Sequence, residues 1–420
     1  MLPKTITSDF FTTISLRQAF QSLYLMTFWL YKLRYWKDKE LFEQELLEYL
    51  WKKGKKMLSF YNGRNAIYHC LKLIWVQKED EVIINAYTCS VVVNAVKQSW
   101  VRVVYSDVES KTLSFDYEVL KKNISSKTKV IILQHTFWMQ ARDYSKIIDL
   151  AQEKGIIIIE DCALNLGNKT KIKWDFAIFS TGRDKVISSV TGWFLLINNL
   201  RFVGSEYFHS SESKLKMPSR ILTFQNLNYN IVWYKSYKMY DFFKLWRVII
   251  FISRKLKLIT EVFPLKEKNF EHYDFNLAFP NSLAYLARKE LKKLDWYSEI
   301  RLEKAIEYIC SIKNDKIELL FKIVTEDIYN GFRIPILLKS QEQSEKLYNY
   351  MRNNNVLLWK AWSWINIVPV WTDFEKAWYI SGSCTIAEDI SKRILFLPNH
   401  NGVNTQDIKR VVELINNFKL

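Results

Sequence analysis

Residues Ile156 to Gly167 read "IIIIEDCALNLG", and the first half of this stretch decides the fold. Four consecutive isoleucines leave no polar face, so the segment reads as a strand covered on both sides and not as one edge-exposed to water. The neighbouring segments repeat the pattern. "EVIIN", "VRVVYSDV", "TKVIILQHT", "FAIFST" and "GWFLLIN" are further apolar runs, and they alternate with the helix-spaced "AIYHCLKLIW", "SVVVNAVKQS" and "YSKIIDLAQEKG" between Asn65 and Asn198. This alternation predicts an α/β domain with a mainly parallel sheet. Ligands of such sheets lie beyond the carboxyl ends of the strands, which draws attention to Asp161, His135 and Ser180, each closing an apolar run.

The chain has 420 residues, 49% of them hydrophobic, enough for more than one core and incompatible with a disordered protein. Its 61 Lys+Arg outnumber 44 Asp+Glu, giving a net charge of +17. The lysines are scattered, and no zinc-finger, basic-zipper or RNA-binding signature accompanies them, so a nucleic-acid partner is not expected. Five separated cysteines without a C-x-x-C pair point to no metal centre and to a reduced, cytoplasmic setting. The apolar stretch Leu23 to Tyr31 is too short to span a bilayer and reads as a packed helix.

Beyond Leu200 the pattern changes. Asn281 to Ile309 reads as one long helix, and "FRIPILL", "SQEQSEKLYNYMRNN" and "NTQDIKRVVELINNF" read as a smaller α/β domain. The expected division is an N-terminal helical segment 1–60, a large domain 61–275 with an insertion at about 201–273, and a linking helix plus small domain 276–420. Within the insertion, "NIVWYKSYKMYDFFKLWRVIIFISRKLKLI" (Asn230 to Ile259) holds seven basic residues and one acidic. Lys235, Lys238, Asp241, Lys244 and Arg247 recur every third residue and would wind around a single helix, so the segment is expected to cover the active site or a dimer contact. Peripheral membrane binding is the lesser alternative.

Lys185, in "FAIFSTGRDKVISS", is bracketed by two core strands and needs a partner, such as Asp184, or a chemical task. Read alone, Asp161 is a turn former or helix cap, and "NG" at Asn62 and Gly63 is a turn. Taken in order, "SFYNGRNAIYHCLK", "DEVIINAYTCSVVVNAV", "VIILQHTF", "IIIIEDCALNLG", "FAIFSTGRDKVISSVTGWFLLINN" and "LFLPNHNGVNTQDIKRVVELI" resemble the DegT/DnrJ/StrS-type sugar aminotransferases. These are fold type I enzymes that use pyridoxal 5′-phosphate. The resemblance runs from about Phe42 to the C-terminus, apart from Arg201 to Tyr273.

The resemblance implies specific roles. Lys185 would hold the cofactor covalently and move a proton, which requires an amine kept from its usual protonation by burial. Asp161 would face the ring nitrogen. Asn62, Gly63, Arg64, Asn65 and Ser180 would form the phosphate cup at a helix N-terminus. Asn276, in "DFNLAFPNSLAYL", falls on an asparagine that reaches the neighbouring subunit's phosphate, although a helix cap is an equal reading; the site would then straddle a homodimer interface. The implied reaction passes an amino group, from glutamate, to a nucleotide-linked keto-sugar for cell-surface polysaccharide or glycan precursors. Lys185 favours amination over sugar dehydration, for which some relatives carry histidine there.

The sequence also departs from the family. Leu164 stands where Gln or His is usual, with Asn165 adjacent; Cys89 stands where a ring-stacking aromatic is common, with Tyr87 nearby; Trp138 and Trp193 replace glycines, and Ala278 an arginine. These departures motivate the rival expectation of a catalytically altered protein that serves as a binding or scaffolding partner, with contact at a membrane surface as one form of it. Another fold type I activity, sulfur removal from cysteine, is the third.

Overall fold

The computed structural model describes residues 4–8, 14–28, 37–168, 174–261, 263–271, 274–320 and 330–419. Seven strands form the central sheet: β1 Lys56–Phe60, β2 Glu81–Asn85, β3 Arg102–Ser106, β4 Thr128–Gln134, β5 Ile157–Asp161, β6 Phe176–Ser180 and β7 Trp193–Ile197. Their order across the sheet is β1-β7-β6-β5-β4-β2-β3. Only β7 runs against the others, pairing antiparallel with both β1 and β6. All five residues of β2, β5 and β6 are buried, as the unbroken apolar runs require. Lys56–Phe60, placed by the sequence reading in the N-terminal segment, is the sheet's own edge strand β1.

The smaller unit is a three-stranded antiparallel sheet of Glu318–Leu319, Ile334–Leu337 and Ile394–Leu397. Helices Gln341–Asn353, Thr385–Arg393 and Thr405–Asn417 accompany it. The helix expected as continuous from Asn281 is two helices, Asn281–Leu291 and Leu294–Ser311. Buried Glu290 holds this turn by accepting hydrogen bonds from Lys293 Nζ at 2.6 Å and Tyr297 Oη at 2.9 Å.

Besides the helices Glu206–Lys214 and Leu265–Lys268, the insertion holds its basic segment in two helices, Arg220–Lys238 and Leu245–Lys255. Phe243 and Lys244 between them adopt left-handed backbone, with φ of 46° and 55°. The expectation that its charges wind around one helix is therefore overturned, because Lys235 and Lys238 belong to a different axis from Arg247. The first helix lies inward. Asn230 Nδ2 donates to Ser22 Oγ at 3.0 Å, joining it to the N-terminal helix Leu16–Phe28. That helix contains Leu23–Phe28 of the apolar stretch, and residues 29–31 lie outside the described residues. Among the described residues no helix is long and apolar enough to cross a membrane.

Candidate active site

Strand polarity gathers the site. β5 and β6 end at Asp161 and Ser180, β1 ends at Phe60 just before the helix Gly63–Ile74, and antiparallel β7 begins at the same edge with Trp193. Trp193 pairs with Phe60 on one side and Ser180 on the other. The lysine loop 181–192 connects β6 to β7, so its length and the strand reversal deliver Lys185 to the edge where Asp161 ends.

Lys185 and Asp161 act on each other. Burial pushes the Lys185 amine below the usual lysine range; Asp161, Cys89 and Asp184 oppose that shift, and Arg333 reinforces it. Burial raises the Asp161 carboxyl, against the opposing pull of Lys185 and of the Ala163 N–H, which donates to its Oδ1 at 3.0 Å. Lys185 is half-buried overall and its Nζ lies 5.1 Å from the centroid of the Trp193 ring. Cys89 joins the cluster: burial drives its thiol up to about 11, and Lys185, Arg64 and Glu267 all act on it. A thiol raised in this way is disfavoured as a nucleophile.

The helix Gly63–Ile74 presents its N-terminus at this edge. Asn62 caps it, its side-chain oxygen accepting the Asn65 N–H at 3.1 Å, while the amides of Gly63 and Arg64 belong to the turn that has no partners inside a helix. Ser180 Oγ accepts the Gly182 N–H at 3.1 Å. A Cβ on Gly63 would come within 2.7 Å of the Trp193 indole, so this glycine is required by close packing. The Arg64 side chain forms a buried ion pair with Glu267, whose carboxyl burial lifts to about 7 despite the guanidinium. Sequence reasoning used Arg64 for its backbone amide and missed the side chain, Glu267 and Arg333. The signal it could have read is an arginine at a buried helix start, which must find a carboxylate.

Other expected residues have partners of their own. The Tyr87 ring is committed to a cluster with Phe137 and Trp362, and its hydroxyl donates to the Trp362 carbonyl. Leu164 is buried, and its carbonyl accepts from Asn330 Nδ2 at 3.0 Å. Asn165 does not substitute for it, since its side chain engages Cys162 and Asn168. His135 is a core histidine, 3.0 Å from Glu160 Oε2. Asn276 is half-buried; its carbonyl accepts the Lys216 N–H at 2.7 Å, and the next residue's carbonyl accepts from Tyr61 N and Asn65 Nδ2, so the segment borders the helix N-terminus within its own chain. Trp138 keeps φ of 126°, a backbone that favours glycine, and its indole N–H donates to the Arg333 carbonyl at 3.0 Å. Two clefts, of 690 and 410 Å³, lie away from Lys185, one against Ala151 and Arg201 and the other between Arg17, Tyr237 and His400.

The insertion covers the lysine loop. The Arg183 guanidinium stacks 4.1 Å from the Tyr229 ring centroid and donates to the Thr260 carbonyl at 3.1 Å. Val190, Tyr229, Val232 and Ile259 form one small core over the loop.

The model of the DegT/DnrJ/EryC1/StrS aminotransferase family matches residues 31–187 and 259–416. The chain belongs to this family. The unmatched residues 188–258 contain the helices Glu206–Lys214, Arg220–Lys238 and Leu245–Lys255. GDP-perosamine synthase of Vibrio cholerae is 31% identical over 163 residues, 38% of this chain and 44% of that protein, so the match spans less than half of the relative's length. GDP-perosamine synthase of Escherichia coli O157:H7 is 21% identical over 366 residues, covering 85% of this chain and 84% of that one. The solved structure of Helicobacter pylori PseC, an aminotransferase involved in the biosynthesis of pseudoaminic acid, superposes with a TM-score of 0.72 at 16% identity over 98% of both chains. Membership makes this chain a fold type I aminotransferase with pyridoxal 5′-phosphate as cofactor. The donor set fits that group chemically: an amine of lowered pKa, a buried carboxylate, a capped helix N-terminus with a glycine, and a serine hydroxyl.

Proposed function

We propose that the protein transfers an amino group from glutamate to the keto group of a nucleotide-linked sugar, in the supply of cell-surface polysaccharide or glycan precursors. The observation that carries this reading is the mutual effect of Lys185 and Asp161 at the carboxyl edge of the sheet. The names of the perosamine synthases support the sugar-nucleotide class.

When bound, pyridoxal phosphate withdraws electrons from the bonds of the amino-bearing carbon. Lys185 Nζ, whose affinity for a proton is lowered by burial, would take a proton from that carbon and return one. Asp161, held by the Ala163 amide, offers a carboxylate to a protonated ring nitrogen. The amides of Gly63 and Arg64 at the helix start, with the Ser180 hydroxyl, are available to the phosphate, whereas both Asn65 donors are committed to Asn62 and the Leu277 carbonyl. A cytoplasmic homodimer remains part of this reading, but Asn276 borders the helix start of its own chain, so any reach into a second copy's site would have to come from its half-buried side chain. On this reading the substrate would lie between the large domain, which includes Lys56–Phe60, and the small domain, and Arg333, which acts on the Lys185 amine, would face it from the small-domain side.

The test is spectroscopic. The purified protein should show the visible absorption of lysine-bound cofactor, change it on addition of glutamate, and lose it in Lys185→Ala together with at least about 10³-fold in amino transfer. A protein that takes up the cofactor but never responds to glutamate would support the catalytically altered reading, for which Trp193 against Gly63 is the structural motive.

A further inference from the structure

Among the described residues, the helix Leu245–Lys255 has one face without a partner. Ile250 and Ser253 are buried and Ile249 packs on the core over the lysine loop, so the helix is anchored on one side. On the other side Val248, Phe251, Ile252 and Leu256 are 50%, 65%, 47% and 62% exposed, and Phe243 just before the helix is 85% exposed. The spacings of three, four and five residues place these apolar groups on one broad outward stripe. Exposed Lys244, Arg247, Arg254 and Lys257 accompany them, Lys255 rises within the stripe itself, and no acidic residue occurs from Phe242 to Thr260. An apolar stripe of this size is costly in water and marks a contact surface.

We propose that this helix docks the protein on the surface of an anionic lipid bilayer, with the apolar stripe among the acyl-chain ends of the headgroup layer and the cations on the headgroups. A lipid surface satisfies both parts of the pattern at once: the apolar side chains leave water, and the five cations meet negative charge. Self-association through the same face would instead bring two sets of five cations together in a chain that already carries +17. The helix lies outside the residues matched by the family model, so docking is separable from the chemistry at Lys185. With no helix able to cross the bilayer among the described residues, the attachment is peripheral.

The experiment is vesicle co-sedimentation of the full-length holoprotein. Vesicles of equimolar phosphatidylglycerol and phosphatidylcholine should retain the protein, and pure phosphatidylcholine vesicles should retain at least tenfold less. The triple variant Phe243→Ser, Phe251→Ser, Ile252→Ser should lose at least tenfold in binding to the anionic vesicles, as should Arg247→Gln, Arg254→Gln, Lys255→Gln; high salt should mimic the second set. Both variants should keep the parent's melting temperature and cofactor absorption, because the altered side chains are exposed. Equal retention of parent and variants, or no retention on anionic vesicles, overturns the proposal. A parent dimer that becomes monomeric in the apolar variant also overturns it, by showing that a second copy covers the face.

Discussion

Two helices of the insertion are next to each other in sequence and opposite in what they present. Arg220–Lys238 turns its buried Asn226, Tyr229, Asn230 and Val232 toward the lysine loop and the N-terminal helix, whereas Leu245–Lys255 buries little more than Ile250 and Ser253. The inner helix spends its polar groups on defined partners: Asn226 Nδ2 donates to Tyr61 Oη at 2.7 Å and Asn230 to Ser22. The outer helix has apolar and cationic side chains in water. Composition alone does not distinguish them, since both are rich in aromatic and basic residues; the distinction is made by the left-handed turn at Phe243 and Lys244. One added segment can thus belong at once to the catalytic edge and to the outer surface.

Predictions test how far the inner, catalytic side is set apart. The largest effect is expected for Asp161→Asn, which keeps the shape but removes the carboxylate: amino transfer should fall on the order of 10²- to 10³-fold, measured as kcat/KM, with no change in vesicle retention. A parallel loss of retention would mean the two sides are coupled.

Next is acid stability. Burial lowers both His69 and His400 from 6.5 to about 4. In His69 the Nε2–H donates to the Phe275 carbonyl and Nδ1 accepts from Tyr207 Oη at 2.8 Å; in His400 Nδ1 accepts the Gly402 N–H at 3.0 Å, so a second proton has no place in either ring. A base with a depressed folded pKa contributes stability that is present above pH 6.5 and lost as the pH falls toward 4. Each shift corresponds to about 3 kcal/mol at most. Glu267, raised to about 7, has the opposite sign: its contribution is full below its ordinary value near 4.5 and is lost as the pH rises through 7. Two histidines against one carboxyl leave a net loss of about 2 kcal/mol between pH 6.5 and 4.5. Urea midpoints across this range should show it, and Glu267→Gln should steepen the acid loss by removing the opposing group.

A smaller effect is expected for Trp193→Gly. Removing a half-buried indole should cost about 2 kcal/mol, read in thermal unfolding, while clearing the space against Gly63. The smallest is Arg183→Ala, which removes the stack on Tyr229 and the bond to Thr260 and should cost about 1 kcal/mol, read as a shift in melting temperature, with vesicle retention unchanged.

Much of the fold and of the site is legible in the sequence, for physical reasons. A strand buried on both faces has to be apolar throughout, so "IIIIE" can be read directly, and the lysine after β6 and the aspartate after β5 follow from strand ends. Other features depend on tertiary context. The break at Phe243 has no glycine or proline to announce it, and the break before Leu294 is made by the buried Glu290 interactions. Nothing in the chain around Tyr87, two residues from Cys89, announces that its hydroxyl is spent on Trp362. The contact of Trp193 with Gly63 emerges only once β7 is seen to run backwards, which brings the first residue of a strand to the edge where its neighbours finish.

At Trp138 a bulky side chain sits on glycine-shaped main chain, and the usual order of truncations reverses. Side-chain truncation ordinarily favours alanine over glycine, because alanine restrains the unfolded chain. At φ of 126° any β-carbon is strained, so here alanine forfeits the indole and keeps the torsional cost, whereas glycine forfeits the indole and is released from it. The heavier truncation is thus the milder one, and the position retains a preference for a residue it no longer contains.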